Sequence, residues 1–420
     1  MLGALINAWR VPDLRKKILY TALLLFIYRL GSFIPVPGVN TASFVAEFQR
    51  LAGETGVGLL SLLDMFSGGG LSRATVFALN VGPYITASII IELLAVVIPA
   101  LEELKKEGPE GRKKMSQYTR YGAVVLALIQ GYSYAMMFGT AVRPGVMWKL
   151  LIVLSMTAGA AFTMWLGDKI SEKGIGNGIS LIIFAGILSR FPAQLQGVLG
   201  MLKQGVGNIA LTLVYGVMGL ALIVAVIATT EAQRKIPVQY PKRVVGRRVY
   251  GGQSTHMPIR LNQAGVIPVI FASSVLAFPQ TIGQFIPAIS ASVNRFIYNA
   301  WVYNILYVVL VILFTYFYTG ITFNPVEVAD NMKKYGGFIP GFRPGRPTAE
   351  YLDRVLTRLT FVGAIFLAAI ALLPNITGKL TSGSISFGGT GLIIVVGVAL
   401  DTMKQIEAQL IMRQYEGFLK

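Results

Sequence analysis

Residues 207–230, GNIALTLVYGVMGLALIVAVIATT, run for 24 positions without a charge, and the basic residues Arg234 and Lys235 follow close behind. At helical rise such a run is about 36 Å long, enough to cross the roughly 30 Å hydrocarbon core of a bilayer. Apolar segments of the same kind fall near 18–34, 74–99, 119–138, 147–166, 178–196, 264–288, 301–322, 357–373 and 387–403. Those at 178–196 and 387–403 are short and glycine-rich, which suits helices shielded by neighbours rather than bathed in lipid. Over the whole chain of 420 residues, 54% are hydrophobic and 13% charged. A soluble domain is about one quarter charged. The reading is an all-α polytopic membrane protein with ten transmembrane helices.

The charge that remains is one-sided. Thirty-seven Lys and Arg face 19 Asp and Glu, a net charge of +18. Of the basic residues, 28 fall in the N-terminus, the connections after spans 2, 4, 6 and 8, and the C-terminal tail, against 8 in the alternate connections. Basic residues stay on the cytoplasmic side, so both termini are expected there. Arg10, Arg15, Lys16 and Lys17 precede the apolar run of span 1 as in a signal peptide, but no small-residue cleavage site follows, and a retained first span is the expectation. With no cysteine and His256 as the single histidine, disulfides, thiolate metal sites and imidazole clusters are excluded.

Five spans followed by five more, entering from opposite sides, permit two inverted five-helix halves, span 2 matching span 7 and span 5 matching span 10. The expected divisions are 1–173 (spans 1–4), 174–206 (span 5 and a hinge connection), 207–404 (spans 6–10) and a cytoplasmic tail, 405–420. Between spans 1 and 2, about 57–70, lies a segment too short to cross. Leu59, Leu60, Leu62, Leu63, Asp64, Met65 and Phe66 make a brief apolar helix, broken by Gly68, Gly69 and Gly70. It either folds back into a cavity or lies along the interface.

Several strings, in collinear order along almost the whole chain, resemble the SecY family of protein-translocase channel subunits. They are Asn80-Val-Gly-Pro-Tyr-Ile-Thr-Ala-Ser-Ile-Ile-Ile91, Gly174-Ile-Gly-Asn-Gly-Ile-Ser180, Gly246-Arg-Arg-Val-Tyr250 with Gln253-Ser-Thr-His256, Gly265-Val-Ile-Pro-Val-Ile-Phe-Ala-Ser-Ser274, Pro340-Gly-Phe-Arg-Pro-Gly345 and Gly388-Gly-Thr-Gly-Leu392. The resemblance implies an hourglass channel in the cytoplasmic membrane that passes unfolded preproteins and opens sideways to release transmembrane segments into lipid. It makes the short segment after span 1 a plug.

By position it also implies a pore ring of Val81, Ile85, Ile179, Ile183, Ile270 and Ile394. Val81/Ile85 and Ile179/Ile183 are i, i+4 pairs, so each pair shares a helix face. A lateral gate between spans 2–3 and 7–8 would carry Thr86, Gln130 and Ser274, with Phe278 facing an entering signal sequence. Glu92 stands where the family pattern leads one to expect glutamine. The implied partners are the small membrane subunits SecE and SecG, the SecA motor, the ribosome, preproteins and membrane lipids.

The loops at 231–262 and 323–358 are basic and punctuated by Gly and Pro, which predicts ordered hairpin-like projections. In the resemblance they dock the motor or the ribosome, through Arg343 first, then Arg247 and Arg248, with Arg243 and Arg346 beside them. An enzyme is not expected. There is no phosphate loop of the G-x-x-x-x-G-K-[ST] type, no Cys nucleophile and no Ser/His/Asp set, so no cofactor is called for and energy must come from a partner. The competing reading is a secondary transporter of a small solute, which also uses inverted repeats and broken helices.

Overall fold

The computed structural model describes residues 8–54, 64–192, 196, 206–240, 243–245, 248–250, 254–285, 300–380 and 389–418. Its helices are α1 (Pro12–Gly31), α2 (Thr41–Glu54), α3 (Gly82–Val97), α4 (Pro99–Lys106), α5 (Pro109–Met137), α6 (Val146–Lys173), α7 (Gly178–Leu188) and α8 (Val206–Glu231), then α9 (Ile267–Phe285), α10 (Ala300–Thr322), α11 (Pro325–Lys334), α12 (Arg346–Leu380) and α13 (Gly389–Phe418). Between α8 and α9 lie four strands, β1 (Gln233–Gln239), β2 (Arg243–Val245), β3 (Arg248–Tyr250) and β4 (Ser254–Arg260).

The helices form two groups. In the first, α5 packs on α3 and α6, and α1 and α7 lean on α6. In the second, α10 packs on α9 and α12, and α13 joins α8 and α12. The groups meet along two seams, α7 against α13 on one side and α9 against α3 and α5 on the other.

Glycine and proline set several element ends. Hydropathy places span 2 at 74–99, but helix begins only at Gly82, because residues 67–81 are wound into turns. Ala74 and Asn80 sit in the left-handed region there, each at φ 47°, a conformation that costs a non-glycine residue energy. At its other end α3 stops at Ile98, and Pro99 starts α4 at 101° to it. By length and composition three described helical runs can cross a membrane, Val146–Lys173, Trp301–Lys334 and Arg346–Leu373, and the bent α3–α4 pair adds a fourth. Other expected spans correspond to shorter apolar helices such as Gly178–Leu188 and Ile267–Leu276. Ten is therefore the hydropathy expectation, and length alone does not recover it where helices are short or broken.

The all-α expectation needs one amendment. The loop after α8 is an antiparallel ladder, β1 on β4 from Gln233↔Arg260 to Gln239↔Ser254, capped by the shorter β2–β3 pair. At the C-terminal end, α13 runs unbroken from the membrane segment through residue 405 to Phe418.

Close packing positions the turn that precedes α3. A methyl on Gly159 of α6 would overlap the Val76 carbonyl oxygen, so α6 can sit directly on the turn backbone. Gly159→Ala should force the two apart and cost about 1–3 kcal/mol. The check is thermal unfolding of the detergent-solubilised chain, where an unaltered Tm would show that the turn yields freely.

Candidate pore constriction and plug

Six aliphatic side chains from separate parts of the chain meet in one apolar cluster. Val81, Ile183, Ile270 and Ile394 are buried in it, and Ile85 and Ile179 pack against it half-buried. Each is delivered by a different local device. Val81 is the N-cap of α3 rather than a residue inside it, yet its carbonyl accepts from the Ile85 N–H at 3.0 Å, so the two still share a face. The preceding turn is pinned where the Thr163 hydroxyl donates to the Asn80 carbonyl at 3.1 Å. On α7, the Asn177 side chain caps the helix by accepting from the Ser180 N–H at 3.2 Å, which starts the turn carrying Ile179 and Ile183. Ile270 and Ile394 come from α9 and α13, across the seams between the two helix groups.

Phe66 lies on this cluster, brought there by the segment Asp64–Gly70. Leu59, Leu60, Leu62 and Leu63 of the expected plug lie outside the described residues. The described part is held by polar contacts on every side. The Asp64 carboxylate, almost fully buried, pairs with Arg190 at 2.7 Å and accepts from the Ser72 N–H at 2.7 Å. Asn80 donates through Nδ2 to the Phe66 carbonyl at 2.6 Å, and the Ser67 hydroxyl donates to the Asp64 carbonyl at 3.0 Å. Gly68, at φ 65°, comes so near α7 that a Cβ would stand 2.9 Å from the Gly186 Cα. A side chain at either glycine would lift the segment away. The segment 64–70 is thus tied by charge to the turn after α7 and fitted to α7 itself by missing side chains.

On the other side of Ile270 and Ile394 opens a cavity of about 610 Å³, also lined by Asn177, Asn262, Gln263, Tyr318, Asp401 and Lys404. The Asn262 and Gln263 side-chain carbonyls are buried without a hydrogen-bond partner among the described residues. The apolar cluster thus borders both Phe66 and a cavity whose largely apolar wall carries several polar side chains.

The seam between α3, α5 and α9 is mostly apolar, with Ile89, Val269, Phe271 and Leu276 buried together. Gln130 and Ser274 are half-buried on it. The Thr86 hydroxyl donates to Gly82 of its own helix at 3.2 Å rather than across the seam, as hydroxyls in helices commonly do. The Phe278 side chain lies outside the described residues, although its backbone is in α9. A buried pair absent from the sequence reading, Ser273 with Tyr307 at 3.2 Å, ties α9 to α10. Glu92 is half-buried in α3, and its Oε2 has no hydrogen-bond partner among the described residues.

The two basic loops build one unit. Gln239 and Phe338 exchange backbone hydrogen bonds at 2.9 Å in both directions. Ile236, Val238 and Ile259 of the ladder share a core with Met332, Ile339, Leu352 and Val355. Arg343 is exposed at the tip of the second loop, where its carbonyl accepts from the Thr348 hydroxyl at 2.8 Å and Gly341 and Gly345 take positive φ. Arg346 is exposed and pairs only with Glu350 of its own helix. Arg243 and Arg248 are strand residues whose side chains lie outside the described set, as does Arg247 altogether.

The sequence reading missed Arg190 and Asn80. Their signals were present: Arg190 is one of the few basic residues on the sparse side, and Asp64 is the sole acid of the plug segment.

The SecY family profile matches residues 75–403. Protein translocase subunit SecY of Mycobacterium bovis is 48% identical over 451 residues, covering 100% of both chains. That of Thermotoga maritima is 46% identical, covering 100% of this chain and 98% of the relative. Among solved structures, a protein-conducting channel superposes with a TM-score of 0.66 at 20% identity, over 94% of this chain and 92% of the other. Sec61 from the canine ribosome–channel complex of the endoplasmic reticulum gives 0.62 at 19%, with the same coverage of each chain. The chain belongs to the SecY family.

Proposed function

We propose that this chain is the protein-conducting channel of a Sec translocase, passing unfolded preproteins across the cytoplasmic membrane and releasing transmembrane segments sideways into lipid. The observation that carries it is the cluster of six aliphatic side chains from separate elements, with Phe66 packed on it and Ile270 and Ile394 facing a cavity lined in part by polar side chains. Branched aliphatic groups offer water no hydrogen bonds, so a narrow ring of them dewets and puts a desolvation barrier before ions. The same ring has no preferred side chain among the segments that thread it. Sealing and tolerance come from one chemistry.

The plug latch completes the resting state. The seam of α9 with α3 and α5 is the candidate exit to lipid, since its contacts are apolar and can be exchanged for those of an entering helix. The chain catalyses no reaction, and a motor or a ribosome supplies the energy. Canine Sec61 was solved as part of a ribosome–channel complex, which favours the ribosome as a partner of the exposed Arg343 loop. SecA at the same unit, SecE and SecG beside the helices, and both termini in the cytoplasm extend the reading. A solute transporter would place ion- or substrate-binding groups at mid-membrane, whereas the collar here is aliphatic.

Replacing Ile85, Ile183 and Ile394 together with Gly should raise resting ion conductance in planar bilayers; currents equal to the parent channel would dispose of the gasket. Arg190→Gln leaves the buried Asp64 carboxylate without its cation; because Arg190 is itself one-third exposed, the loss should fall below the about 3–5 kcal/mol of a fully buried pair. It should raise leak, and Asp64→Asn in the same chain should partly restore the seal; a tight Arg190→Gln channel would show that the ion pair holds nothing. Arg343→Glu should lower SecA-driven export in reconstituted vesicles while the helical fold, read by circular dichroism, is retained. Undiminished export would remove Arg343 from the docking surface.

A further inference from the structure

We propose that Arg29 and Arg73, gathered on the ring of Phe33, bind the phosphodiester headgroup of an anionic phospholipid at the end of the channel opposite the β-ladder. The Arg29 guanidinium carbon stands 4.6 Å from the ring centre and that of Arg73 5.1 Å. Among the described residues neither forms an ion pair, so two like charges share one ring with no described acid between them. One phosphate between them would relieve that repulsion, and the guanidinium fork matches phosphate oxygens.

The pair is built into the fold rather than thrown together on a loop. Val36 N–H donates to the Ala74 carbonyl at 2.9 Å and Val76 N–H to the Ile34 carbonyl at 3.0 Å, so the chain after α1 is stitched to the turn carrying Arg73. Ala74, buried and at φ 47°, turns the backbone beside Arg73. Arg29 also donates to the Gly68 carbonyl at 3.4 Å, which places the site against the plug segment.

A lipid suits the position better than a soluble anion. Leu19, Leu23, Phe26 and Leu30 are exposed along one face of α1 at the spacing of a helical stripe, and Phe33, in the turn just past its end, is exposed as well. Acyl chains can lie along that stripe with the headgroup at the arginines. The end of the channel follows from contacts: Lys17 donates to Gln409 at 3.3 Å, the Ile175 N–H to the Thr21 hydroxyl at 3.1 Å, and Lys404 pairs with Glu231 at 2.8 Å. The start of α1 therefore lies with the strands that follow Glu231, and Arg29 lies at the far end.

The test is native mass spectrometry of the full chain, delipidated in detergent and titrated with phosphatidylglycerol or phosphatidylcholine. The parent chain should retain phosphatidylglycerol preferentially, and Arg29→Gln with Arg73→Gln should weaken that retention about tenfold, or ~1.4 kcal/mol. Arg73→Gln alone keeps the test open if the double variant does not fold, since its side chain is exposed. Arg143→Gln, an exposed arginine on the Trp148 ring at 5.0 Å, should leave retention unchanged. Equal phosphatidylglycerol retention by the Arg73 variant, or full displacement of the lipid by inorganic phosphate, would overturn the proposal.

Discussion

A ring of hydrocarbon keeps water out only while its members stand at one level and touch. In the proposed channel that requirement falls on six residues that come from a turn, α3, α7, α9 and α13, and no single element can hold them in register. The registering contacts are short and specific: Thr163 to Asn80, the Asn177 cap, and the α6 backbone laid directly on the turn at Val76. Aliphatic packing in a membrane is weakly directional, since lipid competes with it. Polar contacts at the ends of the elements therefore fix the geometry that the apolar centre uses.

The proposed plug is held differently from the proposed collar: its described part, 64–70, is fixed by the Asp64–Arg190 ion pair and hydrogen bonds to backbone atoms, with Phe66 packed on the apolar cluster. The glycines at 68 and 186 permit the close fit and contribute no side chain that would have to be dragged past α7.

The basic unit made by the β-ladder, α11 and the start of α12 has its own hydrophobic core. That core orders the described part of the second loop around Arg343, so the proposed docking there would not first have to order it. Arg260 of β4 also lines the cavity beside Ile270 and Ile394, so this unit adjoins it.

Much of the fold was legible in the residues. Uncharged runs marked the apolar helices, and Gly and Pro marked the projecting loops, because solvation and backbone sterics act locally; the lysine and arginine asymmetry supports the proposed orientation. The collar positions were reachable only through the resemblance, since one isoleucine in a membrane helix looks like another until its neighbours are known. What the tertiary structure alone decided is which distant groups meet: Asp64 with Arg190, Asn80 with the Phe66 carbonyl, Gln239 with Phe338. These contacts depend on the relative placement of helices far apart in the chain. No local propensity encodes that placement; it is settled only when the apolar faces, the glycine contacts and the buried charges are satisfied at once.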